Sequence, residues 1–193
     1  MRALIFYKIG LLQLAWEDIQ QSLGHDSQHL ESLRIRTLIA CKAGHLSQAL
    51  SDLHFLLSVE PLDSYALQLR ARIYKKQKKY TLALVDISQF LKAHPDNLKA
   101  KCIRADIYRE EKDLTRALLN LNEVLEKNPR HALALRIRGD VYRQSNKIPE
   151  ALEDLNNSLS QEPNCVETLR VRGYIYIHLH LFDKSLSDLK YCL

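Results

Sequence analysis

Residues 98–131 read LKAKCIRADIYREEKDLTRALLNLNEVLEKNPRH, and the organisation of the whole chain can be worked out from this stretch. Asp96 and Asn97 precede it as candidate caps, predicting a helix over about Leu98–Glu111. A break near Lys112–Asp113 separates a second helix, about Leu114–Lys127, which ends at Asn128-Pro129. Leu114, Ala117, Leu118, Leu121 and Leu125 recur at three and four, so one stripe of that second helix is buried. The same pattern returns at a constant spacing on either side. Pro61, Pro95, Pro129 and Pro163 define that spacing as 34. Ala15, Ala49, Ala83, Ala117 and Ala151, continued by Ser185, keep to it, as do Leu23, Leu57, Leu91, Leu125, Leu159 and Leu193. Arg2, Arg36, Arg70, Arg104, Arg138 and Arg172 form an unbroken column. Tyr74, Tyr108, Tyr142 and Tyr176 form another, preceded by Phe6 and Ala40. Several columns in one register establish an internal repeat.

Composition agrees. The 193 residues suit one domain or one short array, and 46 % hydrophobic with 26 % charged residues describe a folded chain. Five glycines and five prolines are too few for a sandwich or barrel, which needs a turn every 8–12 residues. Pro149 lies outside the proline column but falls at the start of a second helix, where its missing N–H costs nothing. No run of about 18 apolar residues exists, so no spanning helix is expected. Met1–Ala15 superficially resembles a signal peptide, but Lys8 interrupts it and the same residues fit the repeat register. Cys41, Cys102, Cys165 and Cys192 are too far apart for CxxC chemistry and are expected to be reduced thiols, consistent with a cytoplasmic setting.

Ala3, Thr37, Ala71, Ala105, Gly139 and Gly173 form a small-residue column that faces the alanine column across each hairpin, allowing close axes. A further column, Asp18, Asp52, Asp86, Asn120, Asp154 and Asp188, lies about opposite the arginines. Arg–carboxylate pairing between helices explains both columns. At exposed sites such a pair is worth about 0–1 kcal/mol, so the pairs are expected to set register more than stability.

The 34-residue length, small residue, Tyr three later, Ala nine after that and closing Pro resemble the tetratricopeptide repeat family; Gly139, Tyr142, Ala151 and Pro163 carry the match in one unit, with Leu135 and Leu155 at its large apolar positions. Ala40, Ser185 and Ser27 depart from the pattern. The RNA-reading pentatricopeptide class has a longer unit and a different pattern. The resemblance implies an all-α, right-handed α-solenoid of antiparallel helix pairs with a 34-residue period. Its expected units are residues 1–29 (partial), 30–63, 64–97, 98–131, 132–165 and 166–193 (partial), in one continuous array. Ragged ends suggest a piece of a longer array, with a sticky surface at Leu186, Leu189 and Leu193 and self-association through uncapped ends.

In the family, ligands lie along one face of each first helix. Carried over, that face holds Glu31, Arg34, Leu38, Cys41 and Lys42, then Tyr65, Gln68, Arg72, Lys75 and Lys76. Lys99, Cys102, Asp106, Arg109 and Glu110 follow, then Leu133, Arg136, Asp140, Arg143 and Gln144, and last Glu167, Arg170, Tyr174, Ile177 and His178. Ten Lys/Arg against five Asp/Glu place a net +5 there, equal to the whole chain's excess. Such a face attracts an acidic partner. The candidate contacts are Arg72, Lys75, Lys76, Lys99, Arg109, Arg136, Arg143 and Arg170, with Tyr65 and Tyr174 adding stacking or apolar contact. The family's dicarboxylate clamp on chaperone tails needs asparagines that no unit supplies: its slots hold Leu38, Arg72, Asp106, Asp140 and Tyr174, and Ile35, Leu69, Ile103, Ile137 and Val171.

His25 and His29 have i,i+4 spacing but no further ligand at useful distance, so no metal is expected. No phosphate-binding loop, HExxH or nucleophile elbow occurs. The expectation is a non-catalytic scaffold or adaptor, without cofactor or membrane partner, holding an acidic peptide segment of another protein. The alternatives are a structural segment associating through its ends or convex face and, as a minor one, nucleic-acid binding.

Overall fold

The computed structural model describes residues 2–190. Cys192, and Leu193 at the end of the leucine column and of the proposed sticky surface, lie outside the described residues. Among the described residues there are twelve helices and no strand, an all-α repeat fold. They are α1 (Arg2–Lys8), α2 (Leu12–His25), α3 (Leu30–Ala43), α4 (Leu46–Val59), α5 (Ser64–Lys76) and α6 (Tyr80–Ala93). Then follow α7 (Leu98–Glu110), α8 (Leu114–Lys127), α9 (Ala132–Gln144), α10 (Ile148–Gln161), α11 (Val166–His178) and α12 (Phe182–Leu189). The helices pack into two compact units, one up to Ala93 and one from His94 onward. In the first, α1/α2, α3/α4 and α5/α6 form hairpins, α2 packs on α3, α4 on α5, and α1 also touches α3. In the second, α7/α8, α9/α10 and α11/α12 form hairpins, with α8 on α9 and α10 on α11.

Helix boundaries follow local chemistry. His29, Asp63, Asn97 and His131, spaced by 34, accept a hydrogen bond from the backbone N–H three residues on and so cap α3, α5, α7 and α9, while Cys165 before α11 makes no such bond. Of the two cap candidates before α7, Asn97 does this, while Asp96 pairs with Lys127. His29, considered above as half of a histidine pair, is thereby a cap. Pro149 occupies the first turn of α10. The turns share one device. Gly10, Gly44, Lys78, Lys112, Asn146 and His180, again one to each repeat, all have positive φ, between 57 and 86°. Glycine adopts this conformation freely; Lys78 and Lys112 hold it against a Cβ penalty.

The small-residue columns do what their spacing predicts. A Cβ built on Gly139 would lie 2.9 Å from Leu155 Cγ and 3.2 Å from the Ala151 carbonyl oxygen, so only glycine permits this approach of α9 to α10. Ala15, Ala49, Ala83, Ala117 and Ala151 are fully buried, and Leu23, Leu57, Leu91, Leu125 and Leu159 are buried beside them. The second unit's main core gathers Cys102, Ala105, Leu121, Val124, Ile137 and Val141.

Every arginine of the unbroken column reaches its opposite number on the second helix of the hairpin. Arg36 donates from Nε (2.8 Å) and Nη2 (2.6 Å) to the two oxygens of Asp52. Arg70–Asp86, Arg138–Asp154 and Arg172–Asp188 repeat the fork, and Arg2–Asp18 does so at an exposed position. Arg104 meets Asn120 with one bond of 2.6 Å, its neutral partner completing the column. Spare Nη1 groups of Arg138 and Arg172 donate to Asn122 and Asn156 on the preceding hairpin, at 3.0 and 2.7 Å. The value of about 0–1 kcal/mol for exposed pairs does not apply to most of these pairs. The side chains of Asp52, Asp86 and Asp154 are only 1, 2 and 6 % exposed, because each carboxylate lies where its second helix packs on the first. Removing a partner from a buried pair strands a charge, which costs far more than losing an exposed pair.

Asp52→Ala is expected to lower the denaturant-measured stability by about 3–5 kcal/mol, and Asp18→Ala by much less; equal losses would contradict the burial argument. Lys78→Gly and Lys112→Gly should each raise stability by about 0.5–1 kcal/mol by relieving the left-handed backbone, and an unchanged midpoint would show the turns to be unstrained.

Candidate binding site on the first helices

The candidate residues fall in both compact units, and each unit treats its charges differently. In the first, the last turns of α1, α3 and α5 come together. Tyr7, Leu38, Cys41, Lys42, Leu69, Arg72, Ile73 and Lys76, with Leu46 of α4, line a cleft of about 350 Å³. Its floor is aliphatic and its rim cationic. Arg72 and Lys76 are one helical turn apart on the same face of α5, both exposed, and neither has a carboxylate partner among the described residues. Lys42 lies with Nζ 5.0 Å from the centroid of the Tyr7 ring, a cation–π contact that keeps its charge at the rim. Burial raises the Cys41 thiol above its ordinary value, while the charges of Arg72 and Lys76 pull it back. Cys41 therefore senses the potential of the cleft. Tyr65, 36 % exposed in the first turn of α5, adjoins the same groups: burial, with the neighbouring Cys41 and Tyr7, raises its hydroxyl pKa, and Arg34 opposes this. Lys75 is half-buried on the same helix.

Arg34, on the same face, is bound internally. It donates to Asp63 at 2.5 Å and to Glu60 at 2.6 Å. Burial pushes the Asp63 carboxyl up, but the bonds from Arg34 and the Ala66 N–H outweigh that and leave its pKa below the usual range.

In the second unit the equivalent face is largely neutralised. The position held by Arg72 in α5 is occupied one and two repeats later by Asp106 and Asp140. Arg109 donates to Asp106 (2.8 Å), Asp140 (2.7 Å) and Glu110 (2.5 Å). Arg143 donates to Asp140 at 2.7 Å, and the Gln144 amide to the same residue's carboxylate at 3.3 Å. The Arg109 side chain is only 16 % exposed, and its charge orders the face instead of projecting from it. Arg136 and Arg170 help depress Glu167, after that residue's own backbone hydrogen bond and its contact with Cys165. Lys99 and Tyr174 are exposed. Cys102, fully buried near Arg136, is pushed up to about 12 by burial.

The structure thus brings Arg72 and Lys76 to one cleft, leaves Tyr65 outside its lining, and ties Arg109 and Arg143 into an ion-pair cluster. Tyr7 and Lys42 complete the cleft, although neither was among the candidate contacts. The signal for Tyr7 was present: it stands one repeat before Cys41, in the column that lines the face. No group of three or more His, Cys, Asp or Glu among the described residues is arranged to hold a metal ion. Cys41, Cys102 and Cys165 are free thiols.

Comparison with known proteins bears on this architecture. The tetratricopeptide repeat family profile matches residues 69–123 and 104–164. A tetratricopeptide repeat protein from Parabacteroides merdae superposes with TM-score 0.89 at 21 % identity, covering 97 % of this chain and 73 % of that one. PilW, a type IV pilus biogenesis factor, gives TM-score 0.81 at 13 % identity, covering 96 and 86 %. YrrB, described as a protein of this repeat class with an unusual peptide-binding site, gives 0.60 at 16 % identity over 90 and 89 %. At these identities the likeness is one of fold. No curated protein matches the chain.

Replacing Arg72 and Lys76 by Ala should slow the reaction of Cys41 with an anionic disulfide reagent, because the two cations that favour its thiolate are then gone. An unchanged rate would mean that neither cation acts on the cleft. Cys102 should label only on unfolding. Because folding holds its proton more tightly, its contribution to stability should fade as pH rises above the ordinary thiol value of 9.0 toward 12.

Proposed function

The chain belongs to the tetratricopeptide repeat family, and from that premise we propose that it is a non-catalytic, cytoplasmic scaffold that holds an acidic segment of a partner protein against its first helices. The observation that carries this reading is the cleft of the first unit. Arg72, Lys76 and Lys42 rim an aliphatic floor, with no carboxylate among the described residues to neutralise Arg72 or Lys76. A concave, partly apolar wall strengthens the field of such cations. Side chains of Leu38, Leu69 and Ile73 offer a seat for an apolar residue between the acidic ones. Tyr65 extends the same surface. In the second unit Lys99, Arg136, Arg170 and Tyr174 are the groups left to contact a partner once Arg109 and Arg143 are paired internally. YrrB, similar in fold, is described as having a peptide-binding site, which agrees with the use of this architecture for extended ligands.

A second reading rests on α12. Phe182 is 61 % and Leu186 70 % exposed, an apolar face suited to another helix pair or a second copy of the chain.

Capture of partners from cell extract is expected to succeed with the native chain and to fail with the Arg72→Glu/Lys76→Glu variant. Both residues are exposed, so the variant should retain its helical circular dichroism. Equal recovery by both proteins would remove the groove reading. If sedimentation then showed concentration-dependent association, relieved by Phe182→Glu/Leu186→Glu, the apolar face of α12 would take its place.

A further inference from the structure

The three hairpin turns of the first unit lie side by side along one edge. Lys42 at the end of α3 touches the Tyr7 ring at the end of α1, the Trp16 ring of α2 lies tilted against His45 in the α3/α4 turn with centroids 5.5 Å apart, and Lys42, Leu46 and Lys76 share one cleft. This edge is predominantly cationic, with Glu17 of α2 beside it accepting from the Gln13 amide at 2.9 Å. Residues 8–14, 41–48 and 74–82 contain no Asp or Glu, while Lys8, Lys42, Lys76, Lys78 and Lys79 are all exposed. The unit's other acids lie elsewhere. Asp18, Asp52 and Asp86 are held in the arginine forks, and Asp26, Glu31, Glu60 and Asp63 gather at the opposite end, where hairpin joins hairpin. Hairpin turns do not require this separation. In the second unit the corresponding turns mix Arg109, Lys112, Arg116, Arg143, Lys147 and Lys184 with Glu110, Glu111, Asp113, Glu150 and Asp183.

Exposed aliphatic residues sit among the lysines. Ile9 is 63 %, Leu11 48 %, Leu14 43 % and Leu82 47 % exposed. The repeat register shows that other hairpins hold small or polar residues at most of these positions. The equivalents of Ile9 are Ala43, Gln77, Glu111 and Ser145; those of Leu11 are His45, Lys79, Asp113 and Lys147, the last hairpin's Leu179 and Leu181 being the exceptions. Gln48, Arg116, Glu150 and Lys184 stand where this edge has Leu14 and Leu82. The apolar residues at this edge therefore answer no packing need of the repeat.

We propose that the turn edge of the first unit docks the chain on the surface of an anionic phospholipid bilayer. The lysines meet the headgroup charge, and Ile9, Leu11 and Leu82 enter the interface between headgroups and acyl chains. Among the described residues no helix is long and apolar enough to cross a membrane, and surface docking needs none. The aliphatic residues favour lipid over nucleic acid. A single strand would use exposed aromatic rings to stack its bases, but Tyr74 is buried, Tyr7, Trp16 and Tyr80 are half-buried, and the exposed His45 ring is engaged with Trp16. The edge adjoins the proposed peptide contact and shares Lys42 and Lys76 with it, but Lys8, Ile9, Leu11, Lys78, Lys79 and Leu82 do not line the cleft.

The test is co-sedimentation of the full chain with vesicles of phosphatidylcholine alone and of phosphatidylcholine mixed with phosphatidylserine. Binding to the mixed vesicles only, weakened by added salt, is expected. Each surface lysine contributes about fivefold in partitioning, so Lys8→Glu/Lys78→Glu/Lys79→Glu should weaken binding by at least about 100-fold. Ile9→Gln/Leu11→Gln/Leu82→Gln should weaken it without changing charge. All six positions are exposed, and circular dichroism verifies that both variants are folded. Failure to bind the mixed vesicles, or equal binding by the charge-reversed variant, would overturn the proposal. So would unchanged vesicle binding by the Gln variant together with displacement of the native chain by a single-stranded oligonucleotide, which would assign the edge to nucleic acid.

Discussion

The fork between an arginine on the first helix of each hairpin and the aspartate opposite it on the second is the contact that the rest of this structure depends on. It is directional where hydrophobic packing is not. Two parallel N–H···O bonds define the rotation and the height of one helix against the other, and burial of the carboxylate makes any other register expensive. With register set, the small columns meet across the hairpin and the helix axes close to a separation that leaves Gly139 no room for a Cβ. Spare guanidinium nitrogens then reach an amide on the preceding hairpin, so one side chain orders two repeats at once.

Repetition of this frame separates scaffold from function. Columns that hold the hairpin together largely keep their chemistry along the chain: arginine, aspartate, alanine, leucine, a cap before the first helix and a left-handed residue in the turn, with Asn120, Ser185 and Cys165 as departures. Columns that face solvent are free to change sign. The position of Arg72 becomes Asp106 and Asp140, and the consequence is a cationic cleft in one unit and a paired-charge face in the other. The turn edges diverge in the same way, predominantly basic in the first unit and mixed in the second. Identical backbones thus present different potentials.

Much of this was legible in advance. Helix α8 begins and ends where its apolar spacing and the flanking Asp113 and Asn128 place it, and α7 ends one residue short of expectation. Arg104 opposite Asn120 followed from folding a hairpin at Lys112–Asp113. The turn column went unnoticed because Gly10, Gly44, Lys78, Lys112, Asn146 and His180 share a backbone conformation, not a side-chain type. The caps were half-hidden for a related reason: His29 and Asp63 differ chemically but each presents an acceptor to the equivalent N–H.

The sequence by itself determined the all-α repeat, its 34-residue period and the pairing of arginine with aspartate, because a repeated pattern encodes the same local geometry many times over. It also placed an excess of positive charge on the first helices. Which of those charges remain available was decided only by tertiary structure. Arg72 and Arg109 are indistinguishable as letters, but Arg109 lies within reach of Asp106, Glu110 and Asp140 and Arg72 has no carboxylate partner among the described residues. Coulomb interaction depends on distance and burial, and neither can be counted along a chain.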